Sequence, residues 1–261
     1  MRVTHALRPA GITPLVLKGV WLQACIYEQH EPRVITDVDL LVSEREFERA
    51  ISALTRAGWR RRSGNAYELS LDHAELQLPI DLHRRLFTRG AFRLSTDAVL
   101  ERSRVDHAAF GVAVRLPDPR DALAHLIGHF IKSRLRADDS DRLRDFVAIA
   151  RRKPFEAADG ARHLHAVGMA RAARYVLHHL AHAEHDGFYR GLLDALPRDL
   201  LAKPFVQLAG AVASSSSAAG VVGAIPGFLL DRSLMAGARA LVLRALDLRH
   251  DERFAGPWPS P

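Results

Sequence analysis

The sequence predicts an α+β protein: an α/β domain with a mixed sheet over residues 1–116, a helical domain over 117–254 and a disordered tail over 255–261. Three observations lead there. The first half alternates short apolar runs with helix-like segments. The run Val34 to Val42 (VITDVDLLV) is β-branched and apolar, broken only by two acids at alternate positions, which is a strong strand pattern. From Pro117 onward the apolar spacing becomes helical, beginning with Leu123, Leu126, Ile127, Phe130 and Ile131 on one face.

Taken in order, Thr13 to Leu17 (TPLVL) reads as a strand ending in the turn Lys18-Gly19, with a helix over Val20 to Tyr27. The Val34–Val42 strand follows. Ser43 and Glu46 then form a capping box for a helix reaching about Ala57, where Gly58 suits the left-handed residue that ends it. Ala66 to Leu71 and Glu75 to Leu82 read as a hairpin. Pro79 within the second run removes a ladder donor and predicts an edge or a bulge. A further strand is expected over Ala108 to Leu116. Asp118-Pro119 then opens the first helix of the second half. Helical patterns also cover Arg142 to Arg152, Arg162 to His182 and Leu234 to Asp247, and Ser214 to Ser217 reads as a loop or a close helix contact.

Bulk properties narrow the function classes. The 261 residues are 48% hydrophobic and 26% charged, ordinary for a globular protein. No apolar run approaches the roughly 18 residues of a membrane span, and no apolar segment follows the basic N-terminus as in a signal peptide. The single cysteine, Cys25, rules out an internal disulfide framework and reads as a small core residue. These features predict a cytoplasmic protein with no membrane partner. The net charge of +7 invites a nucleic-acid reading. However, the basic residues are almost all scattered arginines, lysine occurring only at positions 18, 132, 153 and 203, and no aromatic-and-basic strand pattern accompanies them. Solvated faces account for them better, and no DNA partner is expected.

The chemistry lies in Thr36-Asp37-Val38-Asp39. Residues two apart on a strand share a face, with Cα atoms roughly 6–7 Å apart, so Asp37 and Asp39 project together from an otherwise apolar run. Two ionised carboxylates there repel and are costly to desolvate, a conflict that a hard divalent cation resolves. Asp81, in Pro79-Ile80-Asp81-Leu82-His83, has apolar neighbours and shares a face with His83. On an adjacent strand it would complete a three-carboxylate metal site. Lys18 and Gly19 at a helix start, with Arg33, suit phosphate contacts. Thr36, beside the two acids, is a further nucleotide-binding candidate, and His83 is placed either to orient Asp81 or to touch phosphate. His125 and His129, spaced by four residues, lack partner ligands and read as structural. His178, His179, His182 and His185 read as a polar helix face.

The order LVLKG, then R-x-x-T-D-x-D-L-L-V, then a helix ending near Gly58, then I-D-L-H resembles an uncharacterised branch of bacterial nucleotidyltransferases, in the superfamily that shares the fold of DNA polymerase β. The resemblance spans about residues 12 to 152. It departs from the superfamily in having Lys18-Gly19 where Gly-Ser or Gly-Gly is usual, and in a longer interval from Gly19 to Asp37. A helical segment that commonly precedes the first strand is expected to be absent or much shortened. The resemblance implies transfer of a nucleoside monophosphate from an NTP to a hydroxyl acceptor, with release of pyrophosphate. The metal would be Mg²⁺, or Mn²⁺ in its place, held by Asp37, Asp39 and Asp81, and ATP is among the donors such a site takes. The acceptor, whether a small molecule, a protein or an RNA end, is left open. It also implies an active site in a cleft between the two domains, and marks His129, Lys132 and Asp145 as recurring polar positions; a surface salt bridge accounts for the last two equally well. A catalytically silent nucleotide-sensing or partner-binding protein on the same fold is the alternative.

Overall fold

A computed structural model describes residues 2–28, 30–87, 92–132, 140–183 and 187–198. These form an α+β protein with one seven-stranded mixed sheet and divide into two compact units. The first takes residues up to 87 and then 95–118; the second takes 92–94 and 119–198.

The first unit opens with α1 (Arg2–Leu7) and a short 3-10 turn, so a short helix does precede the first strand. Then come β1 (Leu15–Val16), α2 (Lys18–Cys25), β2 (Val38–Leu41), α3 (Phe47–Arg56), β3 (Trp59–Gly64), β4 (Glu68–His73), β5 (Leu76–His83), α4 (Thr96–Arg102), β6 (Arg104–Asp106) and β7 (Val114–Leu116). The sheet order is β3-β4-β5-β2-β1-β7-β6. β2 runs parallel to β5 and antiparallel to β1.

Register places the chemistry. On β2 and β5, Asp39 faces Asp81 while Leu40 faces Leu82; on β4, Ser70 faces Asp81 and Glu68 faces His83. Because side chains alternate across a pleated sheet, Glu68, Asp39, Asp81 and His83 emerge on one side. Leu69, Leu71, Leu40, Ile80 and Leu82 emerge on the other, where all five are buried. Burial of apolar side chains at roughly 1.5–3 kcal/mol each therefore fixes the polar face too, since a slip of one residue would drive the acids into the core.

Several expected elements differ in extent. β2 begins only at Val38, because its partner β1 is two residues long and residues 32–37 have no ladder to join; Val34 is exposed. β3 was not expected at all: it is an edge strand whose Arg60, Arg61 and Arg62 are exposed. The strand expected over 108–116 is a hairpin of two three-residue strands, β6 and β7, around turn residues 107–113. Pro79 sits where β5 slips register against β4, one residue before its pairing with β2 begins at Ile80, so no ladder needs its missing donor. Ser43 and Glu46 make the reciprocal bonds expected of a capping box, Ser43 N donating to Glu46 Oε2 at 3.1 Å and Glu46 N to Ser43 Oγ at 3.3 Å, but they close the turn before α3, which begins only at Phe47 with Glu46 at its N-cap. Gly58 takes φ +93 after α3.

The second unit comprises α5 (Pro119–Lys132), α6 (Ser140–Arg152), α7 (Ala157–Ala166), α8 (Ala170–Ala183) and α9 (Phe188–Ala195). The helix expected over Arg162–His182 is two helices, broken where Gly168 takes φ +77. Phe146 and Tyr189 anchor this core edge to face, and the Tyr189 hydroxyl donates to the Phe146 carbonyl at 2.6 Å. The expected helix over Leu234–Asp247, the Ser214–Ser217 loop and the tail over 255–261 lie outside the described residues.

Candidate metal and nucleotide site

One oxygen from each of Asp37, Asp39 and Asp81 lies within 4.8 Å of the other two. Asp39 sits on β2, buried; Asp81 faces it across the parallel β5 ladder; Asp37, half-buried, ends the extended segment that enters β2. The sequence placed Asp37 inside the strand. The structure places it one residue before the strand and still brings it to the same point.

The electrostatics of the cluster are uneven. Burial, and then the neighbouring Asp39 charge, push the Asp37 carboxyl up from the usual carboxylate range; Lys18 opposes this, and Asp81 adds to it. For Asp39 burial is the largest single influence and acts upward. The hydrogen bonds and charges of His83 and Lys18, led by the His83 hydrogen bond, together outweigh it and hold the carboxyl well below the usual range. Lys18 Nζ lies 2.5 Å from Asp39 Oδ1, and His83 Nε2 lies 3.0 Å from the same oxygen. Both donors meet Oδ1, so Oδ2 accepts no hydrogen bond among the described residues. A cluster of three carboxylates with one buried member, an uncommitted oxygen on that member and mutual repulsion fits a hard cation that prefers oxygen ligands.

Of the phosphate candidates, Lys18 meets the cluster through Asp39. Lys18 opens α2 with φ 43, a conformation rare for a residue with a side chain. Next to it, Gly19 leaves space that the Arg33 guanidinium fills. A Cβ at Gly19 would stand 3.1 Å from Arg33 Cζ and closer still to Nη1. Arg33 is held there by its backbone N–H, which donates to Gln23 Oε1 at 2.6 Å, and by Nη1 donating to the Val34 carbonyl at 3.0 Å. The Thr36 hydroxyl lies 3.4 Å from Asp37 Oδ1.

Three expectations change with the geometry. His83 is not turned to Asp81 but bonds Asp39. Asp145, in α6, is buried at 2% exposure, so it is no surface salt bridge; Lys132 ends α5, and its side chain lies outside the described atoms. Cys25 is half-buried rather than a core residue. Of the histidines, His125 is buried, with its ring centroid 6.5 Å from that of His129, and the pair joins no metal-holding group of three among the described residues. Glu68 was missed by sequence reasoning: nothing about ELSLDH distinguishes its first residue until β4 is laid beside β5.

A mixed sheet that brings three carboxylates together, two from adjoining parallel strands and one from the segment entering β2, is an arrangement that could hold a metal ion. The chain belongs to the uncharacterised nucleotidyltransferase family, which it matches over residues 1–189. No curated protein matches it. Among the described residues, no helix is long and apolar enough to cross a membrane.

Proposed function

We propose that the protein transfers a nucleoside monophosphate from an NTP to a hydroxyl acceptor, releasing pyrophosphate, with Mg²⁺ (or Mn²⁺) held by Asp37, Asp39 and Asp81. The observation that carries this reading is the convergence of the three carboxylates within 4.8 Å on a nucleotidyltransferase fold. Bound Mg²⁺ would neutralise charge on the triphosphate and ease deprotonation of the acceptor.

The chain's own groups have separable parts. Asp39 and Asp37 bind metal, and Asp81 completes the set. Asp81, half-buried, also takes up the proton as the acceptor oxygen bonds to the α-phosphorus. The bond from that phosphorus to the bridging oxygen breaks, and pyrophosphate leaves. Lys18, Arg33 and the backbone N–H of Gly19 at the α2 N-terminus hold the phosphates, and Thr36 steadies Asp37. Residence in a reducing compartment such as the cytoplasm belongs to the same reading, supported by one cysteine in 261 residues.

The test is pyrophosphate release from ATP, CTP, GTP and UTP with Mg²⁺ and pooled acceptors: sugars, nucleosides, protein and RNA. Metal-dependent release that Asp37→Asn removes supports the transfer. Nucleotide binding without turnover across all acceptors would favour a silent nucleotide-sensing protein on the same fold.

A further inference from the structure

The side chains behind Asp39 form a connected line across three strands. Asn65, in the turn between β3 and β4, accepts the backbone N–H groups of Tyr67 and Glu68 on its Oδ1, at 2.9 and 3.1 Å. Its Nδ2 donates to Glu68 Oε1 at 2.8 Å. The other Glu68 oxygen, Oε2, stands 3.5 Å from His83 Nδ1. The opposite ring nitrogen, Nε2, bonds Asp39 Oδ1 at 3.0 Å. Since an ionised carboxylate only accepts, Nε2 carries the proton in that bond.

Register explains why Glu68, His83 and Asp39 meet. Glu68 pairs directly with His83, and Asp39 with Asp81 two residues before His83, so all lie on one face of the sheet. The placement is costly. His83 is 3% exposed and its Nδ1 has no hydrogen bond within normal range, while Glu68 brings a carboxylate to within 3.5 Å of it. A buried polar atom left short of a partner costs about 1–3 kcal/mol, and a leucine at either position would avoid that. The arrangement instead grips one oxygen of Asp39 and leaves the other without a hydrogen bond among the described residues.

We infer that Glu68 is a positioning residue that acts through His83 to aim Asp39 Oδ2 at the metal. The inference rests on the metal reading above and assigns a task to a residue outside the triad. Glu68, anchored by Asn65, stands against the Nδ1 edge of the His83 ring and restricts its rotation, which keeps Nε2 toward Asp39. His83 holds Asp39 in a single rotamer, so the liganding oxygen is set before the ion arrives. Partners standing behind metal ligands in this way commonly cost about 10–100-fold in affinity when removed.

The test is direct titration of the full chain with Mn²⁺ alone, in wild type, Glu68→Gln, His83→Gln and the double variant, each with its melting temperature. Glutamine at 83 places an amide nitrogen near the Nε2 position, so it keeps a donor for Asp39 but offers nothing to Glu68. Glu68→Gln should weaken Mn²⁺ binding about 10-fold and broaden the Mn²⁺ resonance spectrum. Added to His83→Gln, the same change should shift affinity less than about twofold. Unaltered binding in Glu68→Gln, or an equal loss in both backgrounds, would overturn the proposal. Wild type that binds no Mn²⁺ would instead overturn the metal reading on which it rests.

Discussion

Asp39 on β2 and Asp81 on β5 stand directly opposite one another in a parallel ladder, and Asp37 reaches the same point from the segment before β2. Three like charges this close repel, so removing one relieves the metal-free protein while depriving the ion of a ligand. Asp81→Asn should therefore leave the metal-free melting temperature unchanged or slightly raised. Its Mn²⁺ affinity should fall by more than the roughly 10–100-fold that partners behind ligands cost. Calorimetric titration checks both halves.

Lys18 places its ammonium 2.5 Å from Asp39 Oδ1, where it offsets charge that a bound metal would otherwise neutralise. Lys18→Met removes that competitor. In the absence of nucleotide, Mn²⁺ should bind tighter by up to about 10-fold, an effect near 1.4 kcal/mol. ATP affinity should fall, since the same ammonium is proposed to serve the phosphates. Opposite signs for the two ligands distinguish this from simple loss of folding.

Gly19 separates packing from nucleotide binding. It does not adopt positive φ, so alanine fits α2 and favours the helix by up to about 1 kcal/mol. The new methyl group would evict the Arg33 guanidinium from its present seat. Gly19→Ala is expected to keep or raise the melting temperature and to weaken ATP binding, with Mn²⁺ binding alone unchanged. Thermal denaturation and nucleotide titration of one preparation suffice.

Gly58 behaves in the contrary way. Its φ of +93 is strained for any residue with a side chain, and a Cβ there would meet His73 Nε2 at 3.2 Å. Gly58→Ala should cost about 1–2 kcal/mol, a melting temperature lower by several degrees.

The thiol of Cys25 is pushed up chiefly by burial; the Arg104 charge opposes this and Asp106 reinforces it. A raised thiol pKa means less thiolate at a given pH, and thiolate is the reactive form. Alkylation by iodoacetamide at pH 8 should therefore be slower in the folded chain than in urea. Its rate should keep climbing with pH beyond the point where the unfolded thiol levels off.

What the sequence disclosed and what it hid have physical causes. Short-range signals were readable: the alternation around Asp37 and Asp39, the Ser43–Glu46 capping box, the terminal Gly58 and the proline opening α5. β3 was hidden because Arg60, Arg61 and Arg62 show no alternation, and an edge strand can expose successive side chains. The break between α7 and α8 was overlooked although Gly168 marks it, because apolar spacing continues on both sides. Of the site, the three acids were legible as a set because carboxylates inside apolar runs stand out. The bond from His83 to Asp39 and the approach of Glu68 were not, since they depend on the register of three strands. That register is decided by Leu40, Leu69, Leu71, Ile80 and Leu82 on the opposite face.

The central claim is that the three carboxylates hold a divalent ion that brings an NTP with it. Thermal denaturation of the full chain with each NTP, in Mg²⁺ and in EDTA, tests this most directly and needs no knowledge of the acceptor. A ligand at about 100 times its Kd adds roughly 2.7 kcal/mol. The account predicts a rise of several degrees with at least one NTP in Mg²⁺, absent in EDTA and absent in Asp81→Asn. Melting temperatures that no NTP shifts, or a shift that EDTA leaves in place, would contradict it.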